Sequence, residues 1–201
     1  MQAFGVERGI AAPLDEANVD TNQLCPTRFN KVPRGERFAQ ILLHDRRFRA
    51  DGSEIVDFLL YQEPYRRARI IVAGRNFGVG SSRETAVFGL VAFGVRSVIA
   101  PSFGDIFFNN CLKNGVLPVT LPAADVAALT RALQAQRGAE LTIDLPAQTV
   151  TAPGGTVYAF EVRALTKRRL LKGLDDLALT SEFRDDVRRF EESYRRANDW
   201  L

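Results

Sequence analysis

The chain has 201 residues, 46% hydrophobic and 25% charged, with 27 basic against 24 acidic side chains and a net charge of +3. That length suits one domain, or one domain with an appended extension, around a buried core. The basic residues are interleaved with acids, as in EFRDDVRRFEESYRR (182–196), which argues against a nucleic-acid stripe, and the apolar stretches are broken well short of the ~20 residues a membrane helix needs.

Taken in chain order, residues 1–68 are punctuated by prolines at 13, 26, 33 and 64. FGVERGIAAP suggests a first strand and a turn. DEANVDTNQLCPTRF (15–29) reads as a loop feeding a short turn, and RFAQILLHDRRF (37–48) as one helix. RIIVA (69–73) is a short buried-strand signal. An apolar helix is expected over 83–93, closed by Gly94 in a left-handed cap. RSVIA (96–100), a helix over 105–114 capped by Asp105, and VLPVT (116–120) follow. Strand, helix, strand, helix, strand at this spacing means parallel βαβ units. Residues 122–136 form an amphipathic helix with Pro122 in its first turn. ELTIDL (140–145), QTVTA (148–152) and TVYAFEV (156–162) read as an antiparallel meander, followed by a basic helix over 166–172 and a charged amphipathic helix over 181–197.

Two cysteines, Cys25 and Cys111, and one histidine, His44, do not make a spaced metal motif. An iron–sulfur cluster needs more thiolates than this, so metal-dependent chemistry would borrow its metal from another chain. His44 is read as a surface or loop residue, and Cys25 as core filler. The N-terminus lacks a basic region followed by an apolar run, so no secretory signal is expected, and the default location is the cytoplasm.

The stretch NFGVGSSRE (76–84) comes after RIIVA and precedes the apolar helix. Ser81 and Glu84 have the S-x-x-E spacing of a capping box. Gly78 and Gly80 allow backbone amides to turn toward one point, as in an anion nest. The helix N-terminus favours a negative ligand, and Arg83 offers a planar fork for a carboxylate, with Arg75 as a second cation. Together with Asn76 these residues form a candidate anion site at the C-terminal end of a parallel strand. A Walker A loop is excluded by the missing lysine, and the dinucleotide fingerprint by Arg83 in place of its third glycine.

The same stretch, with AFGVRSVIAPSFGDIFFNNCLKNGVLPV, resembles the small subunit of isopropylmalate dehydratase, a family similar to the swivelling domain of aconitase. PLDEANVDTNQLCPTRF resembles the family's segment around NVDTD-x-I-I-P, and GLDDLALT (173–180) its GLD-x-I-x-L-T. The resemblance implies an α/β fold, a single swivelling β/β/α domain over residues 1–201 with a C-terminal helical extension. Its mixed sheet would have a parallel βαβ core flanked by helices. It also implies a hydro-lyase interconverting 2- and 3-isopropylmalate through an alkene. A large partner subunit would carry a [4Fe–4S] cluster, and the substrate would be a small dicarboxylic acid.

Carried over by that resemblance, Ser81 would be the base, while Ser82 and Arg83, with Gly80 beside them, would bind substrate carboxylate. Arg28 resembles a basic position after the family's I-I-P and is a further contact candidate. Asp20 and Thr21 keep the family pattern and shape the loop. The chain departs from the pattern at Asn22 (family Asp), Val79 (Cys) and Thr85 (His). These departures leave open a related hydro-lyase acting on citraconate, dimethylmalate or homoaconitate, and a non-catalytic subunit.

Overall fold

The computed structural model describes residues 1–80, 82–181, 183–198 and 200. Seven strands form one mixed sheet: β1 (Val6–Leu14), β2 (Ile70–Ala73), β3 (Ser97–Ala100), β4 (Leu117–Thr120), β5 (Glu140–Asp144), β6 (Thr149–Thr151) and β7 (Val157–Ala159), in the spatial order β4-β3-β2-β1-β5-β6-β7. The expected parallel core and antiparallel meander are both present. β1 is what joins them. Its C-terminal half runs parallel to β2, from Ala11 opposite Ile70 to Leu14 opposite Ala73. Its N-terminal half runs antiparallel to β5, from Val6 opposite Asp144 to Ile10 opposite Glu140.

The burial of each strand depends on the layers that cover it. β2 and β3 are buried at every position, which is why IIVA and SVIA read as unbroken runs rather than alternating ones. Ile71, Ala73, Val98 and Ala100 point into one core, with helix residues Ala86, Val87 and Leu90. Ile70, Val72 and Ile99 point into the other, with Val126, Leu129 and Leu133. The period of two along each strand thus divides the apolar side chains between two layers. β5 alternates buried with partly or fully exposed positions, as expected of a sheet with one wet face.

The longer helices are α4 (Thr85–Phe93), α5 (Asp105–Lys113), α6 (Ala123–Ala135), α7 (Ala164–Lys172) and α9 (Arg184–Ala197). Shorter ones are α1 (Thr21–Leu24), α2 (Phe38–Ile41), α3 (His44–Arg47) and α8 (Asp176–Ser181). α4 ends as expected at Gly94 (φ 102°), and α7 at Gly173 (φ 66°). Gly94 donates its N–H to the carbonyls of Leu90 and Val91. α8 has no counterpart among the sequence-based expectations, and none of the apolar residues along α9 is buried.

The early segments correct two expectations. Residues 15–29 are not all loop: Asp20 caps α1, accepting from the amides of Asn22 and Gln23, while Gln23 accepts from the Asp20 amide, a complete capping box. Thr27–Phe29 then makes a 3-10 turn. Residues 37–48 are not one helix. Leu43 takes a left-handed conformation (φ 51°) and donates its amide to the carbonyl of Leu24 at 2.9 Å, away from the partner a continuous helix would give it. The buried Arg47 guanidinium satisfies the carbonyls released by the break, donating to Ala39 and, at 3.0 Å, to Leu42. It lies over the rings of Phe48, Tyr61 and Phe93. Asp105 does not cap α5 either. Gly104 holds that position with no side-chain bond, and Asp105 is the first helical residue.

Leu90 is fully buried between α4 and the sheet. Leu90→Ala should therefore cost about 2–5 kcal/mol, the range for a cavity in a packed core, read from the midpoint of chemical denaturation.

Candidate functional site

The loops that leave β1, β2 and β3 at their C-terminal ends are bonded into one unit. The central loop, 74–79, is held on one side by the β1 loop. Gly74 N donates to Glu16 O at 3.0 Å and Asn18 N to Arg75 O at 2.9 Å. Gly78 N donates to Val19 O at 2.7 Å and Thr21 N to Val79 O at 2.9 Å. On the other side Phe77 N donates to Ser102 O at 3.0 Å and Gly104 N to Phe77 O at 2.9 Å. Asn76 adds two bonds, its Nδ2 to Asn18 Oδ1 at 2.9 Å and its backbone N to Ser102 Oγ at 2.8 Å. Three glycines make this approach possible, and a Cβ on the first, Gly74, would lie 2.5 Å from Glu16 O. Gly78 has φ 71°, and a Cβ there would lie 2.2 Å from the Phe107 ring. A Cβ on Gly104 would lie 2.6 Å from Gly78 O.

Gly78 therefore does not serve an anion nest as its sequence suggested, because its amide is committed to Val19. Gly80 (φ 108°) is exposed, and a Cβ there would sit 3.4 Å from Thr21 Oγ1. A cavity of ≈ 330 Å³ opens beside the loop, lined by Asn76, Gly78, Val79, Gly80, Phe103 and Ile106 among others.

Beyond the loop, three successive side chains are each held by an asparagine. Arg83 Nη1 donates to Asn22 Oδ1 at 3.1 Å. Glu84 Oε1 accepts from Asn114 Nδ2 at 2.8 Å. Thr85 Oγ1 donates to Asn30 Oδ1 at 3.3 Å. The Glu84 half of the expected Ser81–Glu84 capping box is therefore not made, and the Ser81 half lies outside the described residues. α4 begins at Thr85 with Glu84 itself as N-cap, its carboxylate turned to Asn114 and making no cap bond. Asn30 and Asn114 escape sequence reasoning; they lie far along the chain from the loop and carry no local signal. The capping box of Asp20 and Gln23 was readable, since D-x-x-Q has the right spacing.

The candidate residues divide into those the fold gathers and one it holds apart. Asp20, Thr21, Asn22, Arg75, Asn76, Gly78, Gly80, Ser82 and Arg83 belong to the bonded loops or lie directly after them in the chain. Arg75 and Ser82 are exposed, Arg83 half-buried and Thr21 buried. Ser81 lies outside the described residues. Arg28 is instead paired with the Asp45 carboxylate, with Nη1 donating to Oδ2 at 3.0 Å and Nη2 engaging Oδ1, and its guanidinium lies over Phe29. The Arg28 hydrogen bonds hold the Asp45 carboxyl down to about 2. His44 is half-buried rather than a loop residue, its ring centroid 4.7 Å from that of Phe29 and 4.8 Å from that of Phe48.

Cys25 and Cys111 are both buried. Burial pushes the Cys25 thiol up, partly offset by Thr85 and Arg83, and pushes Cys111 up further. Neither is a ready thiolate, and the described residues include no group of three or more His, Cys, Asp or Glu able to hold a metal ion. No helix among them is long and apolar enough to cross a membrane.

The family model of the aconitase C-terminal domain matches residues 1–124, and a second, LeuD_N, matches residues 127–164. Three curated relatives are each named 3-isopropylmalate dehydratase small subunit. The protein of Roseobacter denitrificans is 46% identical over 201 residues, covering all of both chains. That of Paramagnetospirillum magneticum is 45% identical with the same coverage. That of Rhodospirillum rubrum is 44% identical, covering all of this chain and 97% of its own. Among solved structures, 3-isopropylmalate dehydratase from Methanocaldococcus jannaschii superposes with a TM-score of 0.67 at 22% identity, covering 92% of this chain and 99% of that one. That likeness is one of fold.

Two outcomes are expected. Gly78→Ala should destabilise the protein by about 1–3 kcal/mol in thermal denaturation, because the left-handed backbone and the Phe107 ring both oppose a Cβ. The Asp45 value is depressed in the folded state, so the stabilisation from its pair with Arg28 is complete above the ordinary carboxylate range and is lost as pH falls through about 2. In Arg28→Ala the Asp45 carboxyl, followed by NMR, should titrate near the ordinary value of about 3.9.

Proposed function

We propose that this chain, which belongs to the family of 3-isopropylmalate dehydratase small subunits, supplies the carboxylate-binding and proton-transfer residues of a hydro-lyase that isomerises 2- and 3-isopropylmalate in leucine biosynthesis. The small-subunit name of its relatives implies a large-subunit partner. One observation carries the site assignment. The loop bearing Arg83 is braced at the C-terminal ends of three parallel strands, directly before α4, and no carboxylate among the described residues is paired with Arg83. An unneutralised guanidinium beside a helix N-terminus suits a dicarboxylic acid.

In this reading Arg83 takes one substrate carboxylate in its planar fork, with Ser82 and the exposed backbone at Gly80 beside it. Held there, the substrate presents the C–H next to that carboxylate to Ser81, which removes the proton and later returns it. A serine hydroxyl gives up its own proton reluctantly, so the positive end of α4 and the Arg83 charge would lower the cost of the alkoxide. Asp20 directs its carboxylate to the amides of α1, and Glu84 to Asn114, so neither forms an ion pair with Arg83. Arg28 joins the site only if a substrate carboxylate displaces Asp45. The donor set of this chain does not fit an iron–sulfur cluster. A [4Fe–4S] cluster would therefore belong to the large subunit, where it would supply a Lewis acid for the leaving hydroxyl.

The test is an anaerobic assay of this chain with the large subunit. 3-Isopropylmalate should turn over only when both chains are present. A stable complex that turns over citraconate or homoaconitate instead would reassign the substrate, and one that turns over none would remove the catalytic role. Ser81→Ala should lower kcat by about 10³-fold, within the range for loss of a general base, while the two chains still co-purify. Wild-type turnover in that variant would remove Ser81 as the base.

A further inference from the structure

We infer that Asn22 and Thr27 are positioning residues that hold the Arg83 guanidinium in place without cancelling its charge. The inference rests on Arg83 being the carboxylate-binding residue of the proposed function. Asn22 Oδ1 accepts from three donors: Arg83 Nη1 at 3.1 Å, Thr27 N at 3.1 Å and Thr27 Oγ1 at 2.8 Å. An arginine and a backbone amide can only donate, so the carbonyl end of the Asn22 amide must face them.

Each member of this bracket is anchored by its own element. Asn22 is in the first turn of α1, and its backbone N donates to Asp20 Oδ1 at 2.8 Å. Thr27 opens the 3-10 turn after the buried Pro26, and its carbonyl accepts from Asn30 N at 3.1 Å. Arg83 leads into α4. The bracket therefore ties three separate pieces of chain together at the guanidinium. The bond to Asn22 is the only hydrogen bond of that fork among the described residues. Its remaining donors stay open to an anion, and its charge is met by a neutral carbonyl rather than a carboxylate. A flexible arginine has much rotamer freedom to lose on binding a ligand; one already held loses less.

The experiment is steady-state kinetics of 3-isopropylmalate turnover by the assembled two-chain enzyme. Asn22→Ala should raise KM about tenfold, with a smaller change in kcat, as expected when a bond to a charged group is lost from the ground state and transition state alike. Thr27→Val keeps the backbone bond and should raise KM about threefold. Asn22→Asp keeps an acceptor oxygen at the same place but sets a negative charge against Arg83, so it should not recover the loss. Wild-type KM in Asn22→Ala overturns the proposal, as does a fall in kcat alone, the mark of a smaller folded fraction. Wild-type KM in Asn22→Asp overturns it too, because a carboxylate on the guanidinium would then do no harm. If Asn22→Ala does not assemble, wild-type KM in Thr27→Val decides against it. Arg83→Ala, measured alongside, separates the two readings. A raised KM there with wild-type KM in Asn22→Ala sinks the bracket alone. Wild-type KM in Arg83→Ala sinks both.

Discussion

The site depends on the two-sided pairing of residues 74–79. A loop leaving a buried strand carries backbone donors and acceptors that must be satisfied once water is excluded. Here they are taken up by the loops of the two neighbouring strands, so the ends of β1, β2 and β3 become a single hydrogen-bonded plate. The plate needs glycine at 78 and 104, where Phe107 and the Gly78 carbonyl leave no room for a Cβ. The next stretch of chain, from Gly80 to Glu84, inherits a fixed starting point.

From that point the chain is steadied by asparagines. Arg83, Glu84 and Thr85 are held by Asn22, Asn114 and Asn30, which come from α1, the C-cap of α5 and the C-cap of the 3-10 turn. Neutral amides suit this work. They orient a guanidinium, a carboxylate and a hydroxyl without adding charge to a place where an anion is to bind. The departures from the family pattern at positions 22 and 85 fall within this network. Asn22 supplies an acceptor to Arg83, and Thr85 a hydroxyl to Asn30. The network thus stays hydrogen-bonded with those residues in place.

A second constraint holds α1 where the network needs it. Leu43 gives its amide to Leu24 at the end of α1, and this breaks the single helix that the apolar spacing of 37–48 suggests. A left-handed leucine is unfavourable by itself. Arg47 offsets that cost by filling the carbonyls of Ala39 and Leu42 and by packing its buried guanidinium among aromatic rings. The paired Arg28 and Asp45 lie on the outside of the same segment.

The βαβ core was legible because its signals are local. IIVA and SVIA are short apolar runs, Gly94 and Gly173 sit where left-handed caps are required, and the helix over 122–136 shows its amphipathic period within a few turns. The family was legible from the contiguous NFGVGSSRE and IAPSFGDIF stretches. The features that sequence left open needed partners distant along the chain. The join of β1 to both β2 and β5 pairs residues about 60 and 130 positions apart. The diversion of the Gly78 amide, the turning of Glu84 to Asn114 and the pairing of Arg28 with Asp45 were decided the same way. The sequence by itself determined which chemistry-bearing residues lie together in one loop, because spacing along a chain is local. Only the tertiary structure decided which of them keep their charge and donors for a ligand, because that depends on which groups arrive from elsewhere to use them.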